Sequence, residues 1–359
     1  MAKQRERSSK RSATRTAPAR RLGVALFALL LGLGSYELWY WNHGLAPGDE
    51  TYYFKPGTSL RAMAQELRGR SVLTETVSFV WGATLMGHSR ALKAGEYRFP
   101  AGTSALALLD QVVSGRVVEY PLRFVEGWNI RQLLAALDEA PKLTRTLSGL
   151  PPSEIMMRLG YPNVHPEGRF YPDTYNYPSG QMDYTILARA FDKMRERLAR
   201  EWEGREESLP LKTPDEALVL ASIIEKETGK AEERPLIAGV FINRLRKGMK
   251  LQTDPTVIYG LGAGFDGNLR LRDLKKDTPY NTYTRAGLPP TPIAMPSGKA
   301  LHAALHPAKT RALYFVSRGD GSHQFSETLE EHNRAVVQYQ LGGRSKAVAA
   351  NPAKGDLTR

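Results

Sequence analysis

The first pattern along the chain is an apolar run with no charge to break it. Residues 22–35 (LGVALFALLLGLGS) are uncharged, and Tyr36, Leu38, Trp39, Tyr40 and Trp41 lengthen the run to about 20 residues, enough at about 1.5 Å of rise per residue for a helix to cross a hydrocarbon core. Glu37 is the one acid in it. It falls near the far end, among aromatic residues suited to the membrane interface. The following WYWNHGLAPG lacks the small-x-small pattern of a cleavage site, so an uncleaved single-pass helix over 22–41 is expected rather than a signal peptide.

Beyond it the pattern shortens and repeats. FKPGTSL at 54–60, FPAGTSA at 99–105 and FVEGWNI at 124–130 align; each follows a strand-like stretch (TYYF, GEYRF, EYPLRF) and precedes a helix-like one (LRAMAQEL, ALALLDQVV, IRQLLAAL). The unit is a strand, a glycine turn, a Ser, Thr or Asn cap and a short amphipathic helix. Its spacing is too irregular for a solenoid, which leaves a small α+β module over 42–122. Strand, turn, cap and helix is a common join, yet the FxxGTSL form also resembles the LysM-like modules that bind amino-sugar polymers.

Proline-rich segments then lead to a long helix around 184–202 and to LKTPDEALVLASIIEKETG. In the latter Thr213 is placed to cap, Pro214 to open the helix, Glu216 to complete a capping box and Gly229 to stop it. At about 100° per residue the apolar side chains of 217–224 cover the helix almost all round, which makes it a buried helix. With Ala217 at zero, Glu225 falls at about 80°, Lys226 at about 180° and Glu227 at about 280°. Two carboxylates therefore leave the end of a buried helix on opposite flanks. Desolvation would hold such an acid protonated for general acid work; pairing with an arginine, Arg244 or Arg246 for instance, would make it structural. The residues alone do not choose between these roles or between the two acids.

Further on, LQTDPTVIYG offers Asp254 as a cap before Pro255, and Gln252, Thr253 and Asp254 as a polar groove lining. In the loop-like DTPYNTYTRAGLPP, Tyr280, Asn281 and Tyr283 present aromatic faces and an amide, the equipment of sugar recognition; an ordered loop packed on the core would use them otherwise. LYFVSRGDGSHQFS reads as a hairpin about Gly319, Asp320 and Gly321, followed by a helix holding Glu330, Glu331 and His332. Other motifs fail. GAGFDG at 262–267 matches the dinucleotide fingerprint without a strand-to-helix unit around it, and His302 and His306 lack the glutamate of HExxH and fit surface or packing positions.

Composition changes the picture in two ways. The formal net charge of +13 in 359 residues suggests nucleic acid, but Lys3, Arg5, Arg7, Lys10, Arg11, Arg15, Arg20 and Arg21 stand against Glu6 alone in 1–21, and the tail from 343 adds a further +3. Residues 22–342 are left near neutral, with no phosphate-tracking surface and no nucleic acid partner. The basic tail ahead of the apolar run puts the N-terminus in the cytoplasm and the rest outside, in a bacterium the periplasm. The absence of cysteine removes disulfides, thiolate nucleophiles and cysteine-bound metals. Carboxylate chemistry is what remains.

The motifs EGRFYPDTY, LASIIEKETG, VFINRLRKGMKLQTDPTVIYG, PYNTYTRAGLPP and FVSRGDGSHQFSETLEEHN occur in order from Glu167. Together they closely resemble the YceG-like family of endolytic murein transglycosylases, with the likeness extending over nearly the whole chain. The resemblance implies an α+β protein with an inner-membrane anchor at 22–41, a LysM-like module at 42–122, a catalytic domain at 123–342 and an unstructured tail at 343–359. It implies cleavage of peptidoglycan strands between N-acetylmuramic acid and N-acetylglucosamine to leave 1,6-anhydro ends, and a partnership with peptidoglycan synthases. Matching the family's motif assigns the catalytic acid to Glu225, with Glu227 second; no metal or cofactor enters. A hydrolase using Glu225 with Asp254 or Asp173, and a non-catalytic wall-binding scaffold, are the alternatives. Where family members tend to carry GPIANPG, this chain has TPIAMPS, with Met295 and Ser297.

Overall fold

The computed structural model describes residues 17–45 and 50–341. Most of the basic tail, and the tail from 343, lie outside them. The fold is α+β, and the chain divides into two compact units at residues 119 and 120.

In the first unit α1 (Ala17–Asn42) includes a stretch, Arg20–Asn42, long and apolar enough to cross a membrane. It begins five residues before the apolar run, because Pro18 sits in the first turn, where its missing N–H is not needed. The strands β1 (Thr51–Phe54) and β2 (Gly95–Arg98) pair antiparallel, from Thr51 opposite Arg98 to Phe54 opposite Gly95. Tyr52 and Phe54 alternate into a core shared with α2 (Leu60–Gly69), α3 (Val77–Leu85) and α4 (Ala105–Ser114), where Met63, Leu67, Phe79, Leu108 and Val112 are fully buried. The sequence pattern gave no sign of α3, whose side chains are apolar without a period.

The second unit opens on β3 (Glu119–Arg123), then α5 (Ile130–Glu139), α6 (Pro152–Arg158), β4 (Thr174–Pro178), which pairs with β3, and α7 (Asp183–Glu203). These share a core around Phe124, Leu133, Phe170, Tyr177 and Phe191. A second core forms where α8 (Pro214–Glu227) meets α9 (Arg234–Arg246), α10 (Asp254–Leu261) and, beyond α11 (Leu271–Lys275), α12 (Gly298–Leu305). The hairpin β5 (Tyr314–Ser317) and β6 (His323–Ser326), with α13 (Leu329–Tyr339) packed on it, completes the unit.

All eight residues of 217–224 are buried, as the unbroken apolar surface of α8 requires. Thr213 caps the helix through the Glu216 N–H at 3.2 Å, but the Glu216 carboxylate bonds the Lys212 N–H instead of closing a box. The helix stops at Glu227 because Thr228 is extended; Gly229 does not adopt a positive φ. Asp254 lies inside α10, with Thr253 at the cap position. GAG at 262–264 is a single 3-10 turn after α10.

The three-fold repeat is a repeat of caps. Ser59 Oγ accepts the Ala62 N–H at 3.2 Å, Ser104 Oγ the Ala107 N–H at 3.2 Å, and Asn129 Oδ1 the Gln132 N–H at 3.0 Å, with Gln132 returning a bond to the Asn129 N–H. Ser59→Ala, Ser104→Ala and Asn129→Ala are each expected to lower the unfolding free energy by about 1 kcal/mol, read from denaturant midpoints at unchanged slope.

Candidate active site

Glu225 and Glu227 leave the last turn of α8 toward different neighbours. The Glu225 side chain is 6% exposed. Its Oε1 accepts from Arg234 Nη2 at 3.1 Å, and its Oε2 accepts the Ser297 N–H at 2.9 Å and the Ser297 hydroxyl. Ser297 also caps α12, so this carboxylate sits at the positive end of a helix. The arginine is neither Arg244 nor Arg246. The short turn after α8 returns Arg234, the first residue of α9, to the helix it has just left, while Arg244 lies nearly three turns on. Arg244 donates instead to the carbonyls of Leu251 (2.8 Å) and Leu313 (2.7 Å), and Arg246 to that of Ser208. Lys226 is exposed and its Nζ is 3.3 Å from the Gly127 carbonyl.

Glu227 accepts from the Thr253 hydroxyl and lines a cavity of about 200 Å³. Gln252, Thr253, Asp254 and Tyr283 line it too, together with Arg244, His323 and His332. The wall is built by pairing two loops: the Thr253 N–H bonds Thr282 Oγ1 at 3.0 Å, Thr282 Oγ1 lies 2.9 Å from Thr256 Oγ1, and the Tyr283 hydroxyl donates to Asp254 Oδ1. Gln252 holds φ +51°, a left-handed conformation uncommon outside glycine, at the step between buried Leu251 and the wall. Four of the six groove residues expected from sequence are thus brought together with Glu227.

Asn281 and Tyr280 are not among the residues that line this cavity. Asn281 is 1% exposed; its amide donates to the carbonyls of Leu274 (3.0 Å) and Lys276 (2.7 Å) and accepts the Tyr283 N–H, which fixes the loop carrying Tyr283. The Tyr280 hydroxyl is 2.8 Å from Thr291 Oγ1, and its ring meets Tyr259 edge to face at 4.8 Å. Asp173 pairs with Lys193 on α7, and does not line the cavity. His302 is exposed and stacks on half-buried His306, both beside Glu201. Met295 and Ser297 have defined places: Met295 exchanges backbone bonds with Gly127 and Trp128, and Ser297 holds Glu225.

Sequence reasoning missed His323, and it missed the buried acid Glu167. Glu167 is 1% exposed, takes the Ile130 N–H at 3.0 Å and the Tyr259 hydroxyl at 3.1 Å, and burial pushes its carboxyl up to about 7 against those hydrogen bonds. Gly168 beside it has φ +75°, and a side chain there would come within 2.5 Å of Pro292. The available signal was an acid directly before a glycine in a stretch dense in aromatics and prolines.

The sequence matches the YceG-like family over residues 52–338. It is 31% identical over 300 residues to the endolytic murein transglycosylase of Bacillus subtilis (strain 168), covering 79% of this chain and 82% of that protein. It is 33% identical over 181 residues to the endolytic murein transglycosylase of Streptococcus pneumoniae serotype 2 (strain D39), covering 48% of this chain and 32% of that longer protein. The fold is similar to the crystal structure of a yceG-like protein from Listeria monocytogenes, at TM-score 0.51 and 29% identity, over 80% of this chain and 99% of that one.

Two outcomes follow from the buried groups. The folded chain holds a proton on Glu167 that the unfolded chain releases, so the stabilisation is complete below pH 4.5 and is lost as pH rises through 7. It amounts to something on the order of 3 kcal/mol, and Glu167→Gln should flatten the dependence of chemical stability on pH across that window. Asn281→Ala should cost about 1–3 kcal/mol by leaving buried carbonyls without a donor, measured by denaturant unfolding.

Proposed function

The chain belongs to the YceG-like family, and from that footing we propose that it cuts within peptidoglycan glycan strands as a lytic transglycosylase, with Glu227 rather than Glu225 as the acid and base. The observation that carries this assignment is that Glu227 lines the polar cavity with Gln252, Thr253, Asp254 and Tyr283, a lining to which Glu225 does not belong. The names of the curated relatives support the substrate and the reaction class.

In this mechanism protonated Glu227 gives its proton to the glycosidic oxygen as the bond from muramyl C1 breaks. The resulting carboxylate takes the proton of the muramyl C6 hydroxyl as that oxygen bonds C1, which closes the 1,6-anhydro ring and restores the acid. The nucleophile is already tethered to the reacting sugar, so no water and no second carboxylate are needed. Thr253 orients the acid, and the Tyr283 and Asp254 pair shapes the opposite wall. Residues 123–342 form the catalytic part and 42–122 the LysM-like module that meets the glycan. The helix at 22–41 serves as a single-pass inner-membrane anchor, with the basic tail in the cytoplasm and the remainder in the periplasm, within reach of peptidoglycan synthases.

A hydrolytic reading has one specific support: Asp254 is a second carboxylate lining the same cavity. Purified peptidoglycan digested by the full chain in detergent, with the glycan ends read by mass spectrometry, separates the readings. Anhydro ends, lighter by one water than hydrolytic ends, are expected. Glu227→Gln should lower their formation by about 10²–10⁴-fold. Glu225→Gln should keep the product chemistry and lose on the order of 3–5 kcal/mol of stability, by breaking a buried pair. Normal turnover by Glu227→Gln with loss in folded Glu225→Gln would return the role to Glu225. Reducing ends that vanish in Asp254→Asn would favour hydrolysis, and binding without product would favour a scaffold.

A further inference from the structure

The first unit carries a surface that glycan cleavage does not use. Helix α3 is apolar on both faces. Phe79 and Ala83 point into the module core, while Val77, Trp81 and Leu85, one turn apart, are 75%, 65% and 69% exposed, and Met86 after them is 42% exposed. Helix α2 of the same module behaves ordinarily, burying Met63 and Leu67 and showing water Arg61, Gln65 and Arg68. A helix that is hydrophobic all round belongs where both sides are apolar, and one side of α3 faces nothing among the described residues.

What covers that side follows from what α3 is fastened to. The Ser78 hydroxyl donates to Glu37 Oε1 of α1 at 2.7 Å, and the Tyr40 hydroxyl donates to the Glu75 carbonyl at 3.0 Å, just ahead of α3. The Trp41 ring stacks on Phe79 at 5.5 Å, and Gly82 lies so close to Trp41 that an added Cβ would be 2.2 Å from the indole. Helix α3 is therefore clasped to the last turns of the apolar helix, at Glu37–Trp41. The stretch Arg20–Asn42 has 23 residues, about 34 Å of helix against a hydrocarbon core of about 30 Å. The excess of about 4 Å, just under one turn, brings the end of the helix at Trp41 and Asn42 to the headgroup layer, and Tyr36, Leu38 and Trp39 just below it are exposed. Tryptophan is the side chain most at home at that depth.

We propose that α3 lies in the headgroup boundary of a lipid bilayer, with Val77, Trp81, Leu85 and Met86 turned into the lipid. This rests on reading α1 as a membrane span. The partner is the lipid surface itself, and membrane contact is made by a clasped pair of helices rather than by a span with a free neck. The pair also supplies Glu37 with a hydroxyl partner at the depth where a bare carboxylate would be costly.

The chain has no cysteine, so one introduced cysteine carries one probe. We would reconstitute the full chain in vesicles of zwitterionic and anionic phospholipid. Nitroxide would be attached to Leu85→Cys, Val77→Cys, Leu29→Cys in mid-span and Lys247→Cys as an aqueous reference, and accessibility to oxygen and to a water-soluble nickel complex would be compared. The oxygen-to-nickel ratio is expected several-fold higher at 77 and 85 than at 247, approaching the value at 29. Water-like ratios at 77 and 85 with a lipid-like ratio at 29 would overturn the surface and leave the anchor standing. A water-like ratio at 29 would overturn the anchor, and the surface with it.

Discussion

The second unit is organised by a helix that has no side facing water. Eight consecutive buried residues, 217–224, oblige α8 to be wrapped by α7, α9, α10 and α12. The wrapping ends where the charges begin, because a carboxylate cannot follow Ile224 into the core without a partner. The last turn is thus forced to the boundary between core and cleft, and each acid takes the partners that the wrapping elements deliver there.

Those partners differ because two residues along a helix turn the side chain by about 200°. One flank meets α9 and the start of α12, and there Arg234 and Ser297 close around Glu225. The other meets the loops at 252–254 and 281–283, and there Glu227 has a cavity before it. Ser297 does double duty, capping α12 and holding Glu225, so the end of one helix and the beginning of another are fixed by the same hydroxyl. A glycine at that position would keep the N–H contact and forgo the hydroxyl.

What the sequence revealed was whatever is decided locally. The repeated caps at Ser59, Ser104 and Asn129, the burial of α8, the opposed flanks of its two acids and the hairpin about Asp320 all depend on residues within a turn or two of each other. What it concealed depends on contacts across long separations. The motif pointed to Glu225, and the Ser297 that holds its carboxylate lies 72 residues on. Asn281 has the chemistry of a sugar ligand and acts as a loop fastener, because three backbone carbonyls lie in reach of its amide. Glu167 is one acid in a stretch of aromatics and prolines, and its burial depends on Tyr259, 92 residues later, whose hydroxyl donates to it.

The same long separations set an order of events. A polypeptide is made from its N-terminus, and the cavity around Glu227 draws its wall from residues 244, 283, 323, 332 and 340. Until that last stretch has emerged, the acid at the end of α8 faces no groove. A chain made only as far as α8 therefore carries both carboxylates and nothing to hold a ligand against them, and the groove comes into being only with the last helix.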